Sequence, residues 1–149
     1  AILSCLKIKT MKTALIVVFL SLASVLGAQT IVVKAFKWHL SSDTISVKNI
    51  DPSDVYMALL SKGVINEPLY RDNESSLQWV AHHDWTFETE FPVADIVLLK
   101  DRIELVLEGL DTYASVFLNN RQVLQADNMF RRWVVEVKPF LKRQNSLKI

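Results

Sequence analysis

Apolar and polar residues alternate along most of the chain after residue 80, a period of two that predicts β-strands. In Asp84–Phe91, aromatic residues and a threonine face one way and acidic or polar residues face the other. Arg102–Glu108 repeats this alternation, and Tyr113–Leu118 is apolar on both faces, as expected of a central strand. Asn119-Asn120 is predicted to turn the chain back into Arg121–Gln125, because asparagine tolerates a positive φ.

The flanking segments predict further strands and one short helix. Ile31–Trp38, Asp43–Lys48 and Asn145–Ile149 favour strands, and alternate apolar residues from position 133 to 137 form another inward-facing set. A helix is predicted near residues 52–62, with Asp51 as the N-cap and Gly63 after its last turn. Seven or eight short strands with one helix predict a mostly β fold, an antiparallel β-sandwich.

The first 28 residues carry a different pattern. The first methionine is Met11, and Lys12 precedes an apolar run, Ala14–Leu22, that is followed by small residues up to Ala28. This order predicts a secretory signal peptide, and an N-terminal signal helix, over residues 11–28, with residues 1–10 as an upstream or untranslated-frame extension. The alternative is a membrane anchor, but the 18 residues of this segment are fewer than the ~20 that span a bilayer. After cleavage no membrane anchor would remain.

Composition and charge limit the function classes. Hydrophobic residues make up 50% of the 149 residues, with 3 Gly and 4 Pro, which indicates one globular domain. The net charge of +1 depends on three lysines that precede residue 28, so residues 29–149 carry 14 basic and 16 acidic side chains. No basic stripe is present, and nucleic acid is not an expected partner. The one cysteine, Cys5, precedes residue 29, so the later segment has no disulfide and no thiolate metal ligand.

The sequence motifs contain no recognisable set of catalytic or metal-binding residues. Glu88 and Glu90 lie on the outward face of a predicted strand, as do Glu104 and Glu108, and all four are expected to be solvated. The adjacent histidines His82-His83 point to opposite faces of a strand and cannot easily share a ligand. We therefore expect no metal and no cofactor.

Two residues remain as candidate sites outside catalysis. Trp85 and Trp133 are expected in the core, whereas Trp79 follows a polar stretch and is the better candidate for a ring that stacks on a sugar. The tripeptide Asn73-Glu74-Ser75 is an N-glycosylation acceptor sequence, so Asn73 is a predicted glycosylation site if the protein is secreted by a eukaryote.

Several segments together resemble one enzyme family. The chain resembles the amino-terminal domain of β-mannosidases of glycoside hydrolase family 2, most closely the animal lysosomal type, from about Trp38 to Ile149. The segments that carry the resemblance are Leu69-Tyr70-Arg71-Asp72-Asn73-Glu74, Leu77-Gln78-Trp79-Val80, Asp84-Trp85-Thr86-Phe87, Leu107-Glu108-Gly109-Leu110-Asp111-Thr112-Tyr113-Ala114 and Asp127-Asn128-Met129-Phe130. Residues 29–149 are then an incomplete amino-terminal β-sandwich domain.

The resemblance implies a jelly-roll sandwich of the galactose-binding type and a parent enzyme that removes terminal, non-reducing β-D-mannose from glycans with retention. Its catalytic glutamates belong to a barrel and are expected beyond Ile149, so no catalytic residue is assigned here. The implied partners are β-mannoside-containing glycans and the remaining domains of the same polypeptide. The implied location is the lysosome, with secretion as the alternative. The alternative function is a free-standing, secreted carbohydrate-binding module without hydrolase activity.

Overall fold

A computed structural model describes residues 5–11, 30–32, 36–51 and 54–149. The predicted signal peptide, apart from Met11, lies outside the described residues. The described elements are β1 (Cys5–Met11), β2 (Thr30–Val32), β3 (Trp38–Ser41), β4 (Ser46–Ile50), α1 (Val55–Ser61), α2 (Asn73–Ser76), β5 (Thr86–Pro92), α3 (Asp95–Leu98), β6 (Arg102–Glu108), β7 (Ala114–Leu118), β8 (Arg121–Ala126), β9 (Trp133–Glu136) and β10 (Gln144–Lys148). Short 3₁₀ helices occupy Gln78–His82 and Lys138–Phe140.

The strands form two antiparallel sheets. The smaller sheet has the order β2-β1-β6-β9, and the larger has the order β4-β3-β5-β10-β7-β8. The two sheets pack as a sandwich, which confirms the predicted fold class. The order places β10, the last strand, between β5 and β7.

The core lies between the sheets and consists of the inward residues of the alternating strands. Phe87 and Phe91 of β5 are at most 2% exposed, as the alternation of β5 predicts, and Thr89 between them is also buried. The inward aliphatic residues of β6 are buried too: Ile103, Leu105 and Leu107. Asn119 and Asn120 have φ of 52° and 66°, which confirms the predicted turn between β7 and β8.

The strands before the helix differ from the sequence prediction. The sequence predicts strands over Ile31–Trp38 and Asp43–Lys48. Ile31 and Val32 lie in β2, as predicted, residues 33–35 lie outside the described residues, and β3 begins only at Trp38 and continues to Ser41. The second predicted strand is shifted, because β4 covers Ser46–Ile50.

A turn separates β3 from β4, because Ser42 N donates to Ile45 O at 2.8 Å and the Ser42 hydroxyl accepts from the Ile45 amide at 3.2 Å. Residues 43–45 therefore belong to a turn, which the Ser42 hydroxyl stabilises. Hydrogen bonds from a serine side chain to the nearby backbone compete in this way with strand pairing.

Strand β1 was not predicted. Cys5–Met11 pairs antiparallel with β6 along its whole length, from Cys5 opposite Glu108 to Met11 opposite Arg102. Ile8 is 1% exposed and lies opposite Leu105. Residues 1–10 precede the first methionine and are therefore predicted as an extension, whereas residues 5–10 belong to a paired strand.

Buried Glu104 corrects a second expectation. Glu88 and Glu90 are exposed as predicted, but Glu104 is 8% exposed. Its carboxylate lies 2.8 Å from an Arg102 guanidinium nitrogen, on the same face of β6. Lys9 of β1 is the residue opposite Glu104 on one side of β6. The Arg102 guanidinium compensates the negative charge of the buried Glu104 carboxylate. The expectation was wrong because residues on both faces of β6 are buried, which the sequence pattern does not show.

The first turn of α1 is capped by Asp54 rather than by Asp51. The Asp54 carboxylate accepts a hydrogen bond from the Met57 amide at 2.9 Å, whereas Asp51 pairs with Lys37 Nζ at 2.5 Å. We expect Asp54→Ala to lower the free energy of unfolding by about 1 kcal/mol because a helix amide loses its acceptor. Asp51→Ala is the matched control and should cost at most about 0.5 kcal/mol, since both partners of its ion pair are exposed. Urea titrations of the two variants that showed the reverse order would assign the cap to Asp51.

Candidate functional site

A cleft lies at one end of the larger sheet. Its volume is about 700 Å³. The residues that line it come from the start of α1, the segment before β5, the segment before β7 and the end of the chain: Asp54, Val55, Tyr56, Val80, Ala81, His83, Asp84, Trp85, Thr86, Phe87, Asp111, Thr112, Tyr113, Ala114, Ser115, Phe117, Lys148 and Ile149.

Three aromatic rings lie together beside this cleft, and two of them, His83 and Trp85, line it. Trp79 and Trp85 have ring centroids 6.3 Å apart, and the His83 ring contacts both. Trp85 Nε1 donates to Val80 O at 2.8 Å, and His83 Nδ1 lies 2.8 Å from Trp79 O. These bonds join the rings to the backbone of the preceding 3₁₀ helix. The group of Trp79, His83 and Trp85 is called the ring cluster below.

The opposite side of the cleft is the turn that leads into β7. Gly109 has φ of 73° and Thr112 has φ of 29°, so the chain bends sharply before Ala114. The Thr112 hydroxyl donates to an Asp111 carboxylate oxygen at 2.9 Å. Tyr113 is 84% exposed. It was predicted as the first residue of a central strand, but β7 begins at Ala114.

The predicted tryptophan sites have different environments. Trp79 is half-buried within the ring cluster and packs against the core, so its ring is not a free platform on an open surface. Trp85 and Trp133 are also half-buried and pack against the core. Trp133 lies apart from the ring cluster, on β9, where Arg131 stacks on its ring at 4.3 Å from the centroid. A sugar contact by Trp79 stays a prediction.

The acidic and histidine residues do not assemble a reaction centre within the described residues. Glu88 is exposed on β5, with His39 and Lys148 directly opposite on the two neighbouring strands. His82 is exposed, whereas His83 belongs to the ring cluster. In the part of the chain that the structure describes, no three His, Cys, Asp or Glu side chains are grouped as metal ligands. No described helix is long and apolar enough to cross a membrane.

Asn73 is the first residue of α2 and is partly exposed. Its side-chain nitrogen Nδ2 donates to Glu67 O at 2.9 Å. A glycan on Nδ2 leaves one N–H on that nitrogen, so this hydrogen bond is chemically compatible with modification. Glycosylation of Asn73 stays a prediction.

A family model described as the glycosyl hydrolase 2 galactose-binding domain-like family matches residues 36–149, which contain every strand of the larger sheet. The chain belongs to this family. The match agrees with the two antiparallel sheets and includes the whole lining of the cleft. It confirms the resemblance that the sequence motifs indicated.

The relatives that match this chain include several β-mannosidases. The chain is 37% identical over 108 residues to β-mannosidase A of Emericella nidulans, covering 71% of this chain and 11% of that protein. It is 32% identical over 114 residues to rat β-mannosidase, covering 75% of this chain and 13% of that protein. A solved β-D-mannosidase from Dictyoglomus thermophilum matches with a TM-score of 0.71 and 32% identity, covering 75% of this chain and 14% of that one. The chain thus spans little more than a tenth of the relatives it matches, in their amino-terminal region.

Proposed function

We propose that this chain is the non-catalytic, amino-terminal part of an exo-β-mannosidase that hydrolyses terminal, non-reducing β-D-mannose residues from glycans with retention. The observation that carries the proposal is the match of the sandwich to β-mannosidases from Emericella nidulans, rat and Dictyoglomus thermophilum at 32–37% identity. The three proteins compared above at 32% identity or more are all β-mannosidases, which supports mannose as the sugar that the complete enzyme releases.

The structure supports a non-catalytic role for this part of the enzyme. A retaining glycosidase needs two carboxyl groups about 5–5.5 Å apart on either side of the scissile bond. Most of the described carboxylates are instead exposed on strand faces and turns, whereas Asp54 caps α1 and Glu104 and Glu108 are paired with Arg102 and Arg132. The catalytic acid and nucleophile therefore belong to the remaining domains of the same polypeptide, which are the partners of this sandwich.

The proposed route of the protein is the secretory pathway, with the lysosome as destination and secretion as the alternative. Its signal peptide is residues 11–28, and its glycan is on Asn73. Cleavage after residue 28 would separate β1 from β6, because β1 ends at Met11. N-terminal sequencing of the exported protein checks this: a first residue near position 29 supports the signal peptide, and a protein that retains Met11 and β1 contradicts it.

Hydrolysis of an aryl β-D-mannoside tests the enzymatic proposal. The chain of residues 1–149 should show no turnover above the uncatalysed rate, whereas the longer polypeptide encoded by the same gene should hydrolyse the substrate and release β-mannose first. An aryl β-D-galactoside is the control substrate and should be hydrolysed at least about 100-fold more slowly, since a site shaped for mannose loses hydrogen bonds with galactose, which differs from it in configuration at C2 and C4. Turnover by the 149-residue chain, or equal rates on both sugars, would contradict the proposal. Glycan binding by a polypeptide without hydrolysis would instead favour the carbohydrate-binding module.

A further inference from the structure

Two exposed apolar side chains precede the predicted glycosylation site. Leu69 is 89% exposed and Tyr70 is 57% exposed. Tyr70 stands three positions before Asn73, in the sequence Tyr70-Arg71-Asp72-Asn73-Glu74-Ser75. Single apolar residues are common on protein surfaces, so exposure alone does not identify a site. What distinguishes Tyr70 is the turn that joins it to Asn73.

A β-turn brings Tyr70 and Asn73 close together. The Asn73 amide donates to Tyr70 O at 3.2 Å, which is the bond between the first and fourth residues of such a turn. The central residues are Arg71, with φ of 56°, and Asp72, with φ of −105° and ψ of 16°. A positive φ followed by a negative φ is typical of a type II′ turn. The Cα atoms of Tyr70 and Asn73 are therefore less than about 7 Å apart.

A shared acceptor holds the Asn73 side chain beside the Tyr70 backbone. Glu67 O accepts from Asn73 Nδ2 at 2.9 Å and from the Tyr70 amide at 3.2 Å. An N-linked sugar replaces one of the two hydrogens on Nδ2, and the other hydrogen can keep the bond to Glu67 O. The first sugar would therefore begin at a nitrogen whose position relative to Tyr70 is fixed by two hydrogen bonds to one oxygen.

The Tyr70 ring offers an apolar surface at this point. The Arg71 guanidinium carbon lies 5.2 Å from the Tyr70 ring centroid, a cation–π contact. Because Tyr70 is 57% exposed despite this contact, a large part of its ring remains accessible. The sugar joined to asparagine in eukaryotic glycoproteins is N-acetylglucosamine, and one face of its ring carries only axial C–H bonds. Such a face packs on an aromatic ring and removes water from both surfaces.

Arg71 has a backbone conformation that favours glycine. Its φ of 56° lies in the left-handed region, which is unfavourable for a residue with a Cβ atom. Strained conformations of this kind persist only where the surrounding structure holds them, and they cluster at functional sites. Here the hydrogen bonds to Glu67 O and Tyr70 O hold the turn. The strained residue thus keeps the ring and the acceptor nitrogen near each other.

We propose that the first N-acetylglucosamine of a glycan on Asn73 packs against the Tyr70 ring, so that Tyr70 is a binding surface for the protein's own glycan. This rests on the proposed function in that Asn73 carries a glycan, and it adds what the glycan binds. A sugar attached at Asn73 meets the ring at a high effective concentration, which favours it over a free saccharide. The contact stabilises the folded protein, because unfolding separates the ring from the sugar.

The Ser75→Ala variant isolates the effect of the glycan on stability. It destroys the acceptor sequence but keeps the Asn73 side chain and its bond to Glu67 O, and Ser75 is exposed. The 149-residue chain is exported by a eukaryotic host and trimmed enzymatically to one N-acetylglucosamine. Urea titration should give it an equilibrium constant for folding about fivefold higher than that of Ser75→Ala.

Two substitutions of Tyr70 show whether the ring causes this ratio. With Tyr70→Phe in both proteins the ratio should be kept, because the aromatic face remains. With Tyr70→Ser in both proteins it should fall below about twofold, since the interaction between ring and sugar is lost. Equal ratios for tyrosine, phenylalanine and serine at this position would overturn the contact.

The sugar protons give a second signature, which a general change in stability does not produce. An aromatic ring current shifts protons above its face upfield, so the axial protons of the N-acetylglucosamine should move upfield relative to a glycopeptide of residues 70–76. The shift should be present with Tyr70 and with Tyr70→Phe and absent with Tyr70→Ser. Sugar protons at their glycopeptide positions in all three proteins would overturn the contact.

The mass of the protein separates failure of the contact from failure of the proposed function. A mass unchanged by enzymatic deglycosylation would contradict glycosylation of Asn73, and with it the contact. A glycan that is present on Asn73 without the upfield shift would contradict the contact alone. None of these measurements uses hydrolysis of a mannoside, so a failed mannosidase assay is a separate result.

Discussion

Replacement of Asn145 by alanine is expected to lower the free energy of unfolding by about 3 kcal/mol, which is a large part of the stability of a domain this size. Asn145 is a polar residue, but it points into the sandwich from β10 and is only 3% exposed. A polar side chain in this position is tolerated only because each of its groups has a partner.

The partners of Asn145 close the end of the sandwich. Its Oδ1 accepts from the Lys142 amide at 2.8 Å and from Asn119 Nδ2 at 2.9 Å, and its Nδ2 donates to Lys142 O at 2.7 Å. Asn119 Oδ1 in turn accepts from the Ser146 amide at 3.0 Å. Alanine would leave the Lys142 backbone groups and the Asn119 amide without these partners, and each buried orphan costs about 1–3 kcal/mol.

Urea titration of the 149-residue chain measures this loss, with Gln144→Ala as the matched control. Gln144 is exposed and adjacent on the same strand, so its replacement should change the free energy of unfolding by less than about 0.5 kcal/mol. The double variant of Asn119→Ala and Asn145→Ala should cost less than the sum of the single variants, because both remove the same bond. Equal effects of Gln144→Ala and Asn145→Ala would show that the network contributes no stability, and full additivity would show that the bond between Asn119 and Asn145 contributes none.

The sequence predicted strands best where one face alternates cleanly. β6 lies at its predicted residues, and the Asn119-Asn120 turn has the predicted positive φ, because local chemistry decides both. The prediction was less accurate at Asp43–Ile45, where a serine hydroxyl competes with strand pairing, and at Asp51, where a second aspartate three residues later caps the helix. Neither competition is visible from alternation alone.

The cleft could not be predicted from the sequence, because it depends on which strands become neighbours. Trp85 and Ser115 are 30 positions apart in the chain, and they line the same cleft because β5 and β7 both pair with β10. The same holds for the ring cluster, since a period of two cannot show that Trp79 leaves the strand pattern for a 3₁₀ helix. The strand pattern predicted the β-sandwich and the family resemblance implied its galactose-binding type, whereas the cleft depends on the order of the strands in the larger sheet.

Replacement of Trp38 by alanine should be the most damaging single change in the core, at about 3–5 kcal/mol, because it removes the largest buried side chain and leaves a cavity. Trp38 is 1% exposed and lies opposite Ile50 of β4. Its strand, β3, lies between β4 and β5 in the larger sheet. Its indole Nε1 has no hydrogen-bond partner among the described residues. An unpaired buried N–H opposes folding, so the tryptophan stabilises the core by volume and not by its polar atom.

Trp38→Phe separates these two contributions. Phenylalanine keeps most of the ring volume and removes the unpaired N–H, so we expect a loss of about 1 kcal/mol or less in the free energy of unfolding. Trp85→Phe is the matched control, because Trp85 Nε1 donates to Val80 O at 2.8 Å and its replacement leaves that carbonyl without the bond. Urea titration should therefore rank Trp38→Phe as the milder change, although Trp38 is the more buried of the two. A Trp38→Phe variant as unstable as Trp38→Ala would show that the indole N–H has a partner that stabilises the fold.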